Sequence, residues 1–371
     1  MNRELFSASS LLAGTILGAG IFSLPYVVGK LGFLPGLFYF LAFGAVYAVL
    51  HLMFARLIVK EGPGHNFLRL TEKLFPRPLK IFADFIIISE TIFTLLVYLI
   101  LVPAFVRLVF PAGDLWIVFA FWAVGSAFIF MKLDWLGWAE FLDVICVLAI
   151  IVAILFLGGL RFENIPLFPP AGQSAPFAWI LPFGPIFFAL YGRSAITKMI
   201  EIYGKAVSVG REFSLGKAIW WGTFIPAALY IAFTAVVLAF NPNVGPDTIG
   251  SLSGLSPILS AVLALTGFIT LWTSYFMIGL NLKDILVRDL RWSRVFAACA
   301  VIIFPIALYL AGLRNFLEAI GIAGGFFLAL EGIFIVLMWR KVFPENRWRK
   351  FSPILYLVFL AAIAYQIVKF L

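Results

Sequence analysis

The chain is a succession of apolar runs, each close to the length of a bilayer-crossing helix, joined by short polar linkers. About 20 predominantly apolar residues cross a hydrocarbon core as a helix, and lipid offers no partner to an unpaired peptide group. Read that way, residues 9–29, 33–59, 81–109, 115–131, 138–160, 177–200, 216–240, 257–282, 293–311, 315–339 and 353–370 form about eleven spans of an all-α integral membrane protein. Composition agrees. Only 12% of residues are charged and 63% are hydrophobic, against about 25% charged in a soluble domain. The longest linkers, 60–80, 161–176 and 241–256, leave no room for a soluble domain, so residues 1–371 form a single polytopic transmembrane domain.

The basic residues are unevenly placed. Arg3, Arg56, Lys60, Arg69, Lys73, Arg77 and Lys80, then Lys132, Lys198, Lys205, Arg211 and Lys217, then Lys283, Arg288, Arg291 and Arg294, then Arg340, Lys341, Arg347, Arg349 and Lys350 fall on one side; Lys30, Arg107, Arg161, Arg314 and Lys369 fall on the other. The positive-inside rule makes the richer side cytoplasmic, which puts the amino terminus inside and, with an odd number of spans, the carboxyl terminus outside. The net charge of +9 is therefore a topology signal and calls for no nucleic-acid partner. The opening MNREL is too short and weakly charged for a cleaved signal peptide, so the first run is expected to be retained. Two cysteines (Cys146, Cys299) and two histidines (His51, His65) are too few for a disulfide framework or a zinc or di-iron site. No nucleophile–base constellation or phosphate-binding loop is present, which argues against an enzyme.

Two spans are interrupted. Gly14 to Pro25 reads GTILGAGIFSLP, with Gly18, Ala19 and Gly20 in succession at its centre. Glycine costs roughly 1 kcal/mol against alanine inside a helix and proline roughly 3. The stretch is either a close-packing seam, Gly14 and Gly18 being a small-xxx-small pair, or a helix opened around a cavity, its freed N–H groups facing an anion. Residues 181–201, LPFGPIFFALYGRSAITKMIE, carry Pro182, Gly184, Pro185 and Gly192. These two broken spans lie five apart. An odd offset reverses the sense in which the second half enters the membrane, so the pair points to an inverted repeat, residues 5–160 against 177–340, with 353–370 appended.

GTILGAGIFSLPYVVGKLG resembles the first helix of amino acid permeases of the amino acid–polyamine–organocation superfamily, nearest the amino acid/auxin permease and aromatic amino acid permease branch. FFALYGRSAI resembles that branch's broken sixth helix, and LWTSYFMIGLNLKDILVRDL its eighth. The resemblance implies a LeuT-like fold and several roles. Ala19 and Gly20 would offer amides to a substrate carboxylate, with Gly18 permitting close approach and Tyr98 adding a hydroxyl. Carbonyls around Phe188, Ala189 and Leu190 would take the α-ammonium, and Phe22 and Tyr191 would shape the side-chain pocket. A Na⁺ site would use Gly14, Leu17, Thr270, Thr273 and Ser274, whose oxygens suit a hard cation; the competing use of such hydroxyls is bonding back to their own helix. Proton coupling is the alternative drive.

Ionisable groups inside spans are functional candidates. Arg193 is expected either to pair with Glu90 or Glu331 as a gate at the inner side of the cavity, or to snorkel to the interface. Its presence is a departure from the resemblance and leaves room for an acidic substrate. His51 reads as a packing residue rather than a proton relay. Together these features describe a secondary transporter of a small neutral or aromatic amino acid in the plasma membrane, driven by Na⁺ or H⁺, with no other cofactor. The alternatives are a transporter-like sensor or channel, or a carrier of an amine or polyamine. The last requires carboxylates in the cavity, and none is expected near the first break. The oligomeric state is left open.

Overall fold

The computed structural model describes residues 3–62, 64–130, 136–157, 159, 161–169, 179–252 and 254–370, with the backbone alone for 136–143, 157, 347 and 370. The ends of the expected fourth and fifth spans, the start of the sixth, Lys132 and part of the 161–176 linker lie outside this set. The helices are α1 (Arg3–Ile16), α2 (Leu24–Leu31), α3 (Phe33–Glu61), α4 (Phe67–Leu74), α5 (Arg77–Val106), α6 (Asp114–Ile129) and α7 (Leu136–Leu157). They continue with α8 (Phe183–Ala189), α9 (Arg193–Ser208), α10 (Leu215–Phe240), α11 (Pro257–Arg288), α12 (Arg294–Leu310), α13 (Phe316–Ile320), α14 (Ala329–Val342) and α15 (Ser352–Phe370). Among the described residues six helices are long and apolar enough to cross a membrane, the bent pair α1/α2 makes a seventh span, and α6, α12 and the described part of α7 are shorter apolar helices. With α8/α9 these account for the expected spans, and the protein is a multi-pass membrane protein.

Both interruptions are real. A 3₁₀ turn over Ala19–Ser23 separates α1 from α2, and the two halves meet at 47°. Pro25 does not break a helix. It occupies the first turn of α2, where its missing N–H costs nothing because that amide has no intrahelical partner. Pro182 likewise caps α8, and Tyr191 and Gly192 form the gap before α9.

Two features differ from the span reading. The 60–80 linker contains α4, which starts where the Asn66 side chain accepts the Arg69 amide at 3.0 Å. It buries Phe67, Leu68, Leu70 and Thr71, while Arg69 reaches Asp289 at 2.9 Å and Lys73 reaches Glu61 at 2.5 Å. Its eight residues are far too short to cross a bilayer, so a search for long apolar runs passes over it. The tenth span is also not uniformly α-helical. Gly321–Leu328 winds as a π-helix between α13 and α14 and packs against α8. The packing is glycine on backbone: a Cβ on Gly324 would stand 2.1 Å from the Gly184 carbonyl oxygen.

Main chain cannot move aside as a side chain does, so Gly324→Ala forces α8 and the π segment apart. The expected cost is about 1–3 kcal/mol, read as a lowered Tm of the detergent-purified protein.

Candidate functional site

The site is built from main chain that has lost its helical partners. The α1 ladder stops where the Leu17 amide meets the Ala13 carbonyl at 3.1 Å, and it resumes with the Ile21 amide on Gly18 at 3.3 Å. Gly18 is extended (φ −165°, ψ −162°), so the amides of Gly18, Ala19 and Gly20 take no backbone carbonyl among the described residues. In the second break the ladder stops at the Leu190 amide on Ile186, 2.9 Å, and restarts with the Ala195 amide on Gly192, 3.1 Å. Helix ends carry partial charges, positive at the N-terminus and negative at the C-terminus. Each break therefore sets a negative end (α1, α8) beside a positive one (the Ala19 turn, α9).

The two breaks touch. A Cβ on Gly20 would lie 2.7 Å from the Ala189 Cα, so only glycine permits this approach. One side chain links both: the buried Tyr230 hydroxyl on α10 lies 2.6 Å from the Ile16 carbonyl and 3.1 Å from the Ala189 carbonyl, able to donate to either. Tyr98 on α5 closes in from another side, its hydroxyl 3.1 Å from where a Gly18 Cβ would sit.

Between these elements lies a cavity of about 90 Å³, whose walls include Gly18, Ala19, Gly20, Tyr98, Phe188, Tyr191, Arg193 and Glu90. Of the residues expected around the substrate, Phe22, Ala189 and Leu190 do not line it. Phe22 turns away to pack edge-on against Phe105 (4.9 Å) and Phe233 (5.7 Å), where its ring gains aromatic contacts. The Ala189 carbonyl faces Tyr230, and Leu190 is fully buried. A larger hollow of about 220 Å³ shares Thr15, Tyr98, Ser194, Ile278 and Asn281 with the first and extends to Lys198 and Asp284, at the basic end of the bundle.

Gly14, Leu17 and Ser274 line that larger hollow; Thr270 and Thr273 do not. The Thr273 hydroxyl is placed to bond back to its own helix, at 2.9 Å from Ile269 and 3.0 Å from Thr270 carbonyls, while that of Thr270 has no hydrogen-bond partner among the described residues. No three His, Cys, Asp or Glu side chains gather to hold a metal among the described residues.

Arg193 does not snorkel. It is 8% exposed and pairs through Nε with Oε1 of Glu331, itself 2% exposed. A second guanidinium nitrogen donates to the Tyr191 hydroxyl at 2.8 Å, and the planar group lies over the Phe67 and Tyr191 rings. Phe67 is the first residue of α4, which ties that helix to the cavity. Glu90 makes no ion pair within 4 Å among the described residues; the Thr94 hydroxyl donates to its Oε1 at 2.9 Å. The expectation that no carboxylate stands by the first break therefore needs correction: Glu90 is distant in sequence but lines the same cavity as Gly18–Gly20. His51, buried against Tyr47 and 3.4 Å from the Thr223 hydroxyl, is not part of either hollow's lining. Sequence reading missed Thr91, Thr94, Ser194, Asn281 and Tyr230. A polar stripe at helical spacing, Glu90–Thr94–Tyr98, was the available signal for α5; nothing marked Tyr230 among eleven tyrosines.

Solved structures share this architecture. MhsT in complex with L-phenylalanine matches 98% of this chain and 99% of its own at 17% identity (TM-score 0.62). Mhp1, a nucleobase-cation-symport-1 family transporter, in a closed conformation with bromovinylhydantoin, matches 98% and 91% at 16% identity (TM-score 0.61). The Eremococcus coleocola manganese transporter matches 98% and 85% at 13% identity (TM-score 0.64). No curated protein sequence matches significantly. These matches show a LeuT-like fold, with unwound spans meeting beside a hollow. Residues 1–369 match the tryptophan/tyrosine permease family; the chain belongs to it and is a transporter rather than an enzyme.

Removing one partner of a buried ion pair strands the other, whereas removing both leaves only a packing change. Arg193→Met is expected to destabilise the protein by about 3–5 kcal/mol, and Arg193→Met with Glu331→Met by clearly less. Thermal unfolding of the two single variants and the double variant in detergent checks the sign of the coupling.

Proposed function

We propose that this permease carries an aromatic amino acid across the plasma membrane by alternating access, with its amino terminus in the cytoplasm and its carboxyl terminus outside. The observation that carries the proposal is the meeting of two opened helices at Gly20 and Ala189, beside a cavity walled by amides that no carbonyl satisfies. The amides of Ala19 and Gly20, with the Tyr98 hydroxyl, grip the substrate carboxylate. The ammonium falls to the Phe188 carbonyl at the negative end of α8, because Phe188 lines the cavity and Ala189 does not. The aromatic side chain lies along Phe188, Tyr191 and Ile278. Membership of the tryptophan/tyrosine permease family and the phenylalanine bound to MhsT support this class of substrate.

The larger hollow reaches the basic, cytoplasmic end, while the Phe22, Phe105 and Phe233 rings pack together on another side of the first break. This is the arrangement of a carrier open inward. The Arg193–Glu331 pair holds the first turn of α9, next to the break, to α14 and acts as a gate on the inner side of the cavity. Residues 5–160 and 177–340 form the two repeats, with 353–370 appended. The coupling ion is Na⁺ or H⁺. Gly14, Leu17 and Ser274 face the hollow where a Na⁺ would enter.

Counterflow in proteoliposomes tests the proposal. Preloaded unlabelled tryptophan or tyrosine should drive uptake of the labelled amino acid, without net conductance and with a dependence on Na⁺ or on the proton gradient. Binding without exchange would make the protein a sensor, and ionic current would make it a channel. Gly20→Ala, which pushes the two breaks apart, should cut exchange by at least about tenfold, the equivalent of roughly 1.4 kcal/mol.

A further inference from the structure

Helix α5 presents a polar stripe to the cavity. Glu90, Thr94 and Tyr98 stand at i, i+4 and i+8, on one face, and all three line the hollow. The two ends of the stripe are separated by about 12 Å along the helix axis. Its Tyr98 end lies against Gly18, at the first break. Glu90 lines the same cavity from about two turns nearer the start of α5. With the substrate carboxylate on Ala19 and Gly20 and its ammonium on the Phe188 carbonyl, Glu90 is left to the other end of the substrate.

The Glu90 carboxyl is 3% exposed and keeps unused acceptor capacity. The nearby cation, Arg193, is taken by Glu331. Thr94 donates to Oε1. The Thr91 hydroxyl lies 3.1 Å from Oε2, but its single proton also faces the Ile87 carbonyl at 2.8 Å. A buried carboxyl facing a cavity with too few donors is costly unless the occupant brings one. The same cavity is also walled by Ile16, Phe188, Tyr191 and Ile278, which suit a flat apolar ring.

We infer that Glu90 is a specificity residue, accepting the hydrogen bond of a donor at the far end of the substrate ring: the N–H of an indole or the O–H of a phenol. The inference rests on the orientation given under the proposed function. It makes the permease select tryptophan and tyrosine over phenylalanine, which fills the same slot but leaves Glu90 without its donor. A site built around a hydrogen bond rejects a ligand that lacks it far more strongly than an apolar slot rejects a change of shape.

The test is competition against labelled tryptophan by tyrosine, phenylalanine and tryptophan methylated on the indole nitrogen, in wild-type protein and in Glu90→Ala and Glu90→Gln. In wild type, phenylalanine and the methylated analogue should bind about 10- to 100-fold more weakly than tryptophan. Glu90→Ala should weaken tryptophan and tyrosine by about the same factor and leave phenylalanine no weaker than in wild type, with the fold of the variant checked by thermal unfolding. Glu90→Gln, whose amide oxygen still accepts, should retain part of the preference. Equal loss of all three amino acids in Glu90→Ala would put Glu90 on a group they share and overturn the inference. So would wild-type protein that binds phenylalanine and the methylated analogue as well as tryptophan, and this result requires no variant to fold. Wild-type protein that binds none of these amino acids would remove the proposed function itself.

Discussion

Every peptide group within a bilayer needs a hydrogen-bond partner, and the whole site follows from two places where this chain withholds one. At Gly18–Gly20 and at Leu190–Gly192 the helical ladder is interrupted, and neighbouring elements make good part of the loss. Tyr230 serves carbonyls on both sides, one from each break. A single hydroxyl from α10 thus stands between the two opened helices, while the amides of Ala19 and Gly20 take no backbone carbonyl among the described residues.

The buried charges obey the same economy of partners. Arg193 and Glu331 neutralise one another within a shell of Tyr191 and Phe67, an arrangement worth little in net stability but costly to break. Glu90 is held by hydroxyls of its own helix rather than by a cation. The cavity is accordingly polarised, with amides and a tyrosine at one end and a carboxyl at the other. Such a hollow orients an elongated solute as well as enclosing it. Because α4 places Phe67 under the Arg193 guanidinium and ties Arg69 to Asp289 at the end of α11, the same charges are linked to the basic face of the bundle.

Much of this was legible in the sequence, for a physical reason. Long apolar runs have one solution in lipid, and glycine and proline clusters announce where that solution fails; residues 14–25 and 181–192 could be read as breaks without any coordinates. The pairing of Arg193 with one of two named carboxylates was also legible, since a buried charge narrows its own partners. Other features were not. Helix α4 is short and amphipathic, the π segment at Gly321–Leu328 depends on how closely α8 approaches, and Tyr230 acts through a contact 214 residues away in sequence. Phe22, Ala189 and Leu190 were placed in the pocket by their position at the breaks; their directions are set by packing, which local sequence does not encode. Glu90 is the opposite case, distant from the break in sequence and lining the same cavity.

The account turns on bare amides at the first break being the groups that hold the solute. Hydrogen exchange of the amides at Gly18, Ala19 and Gly20, followed with and without saturating tryptophan, addresses this directly. Slowed exchange confined to these residues and to the α8/α9 gap is the expected result. Unchanged exchange at Ala19 and Gly20 under conditions where tryptophan is demonstrably bound would contradict it.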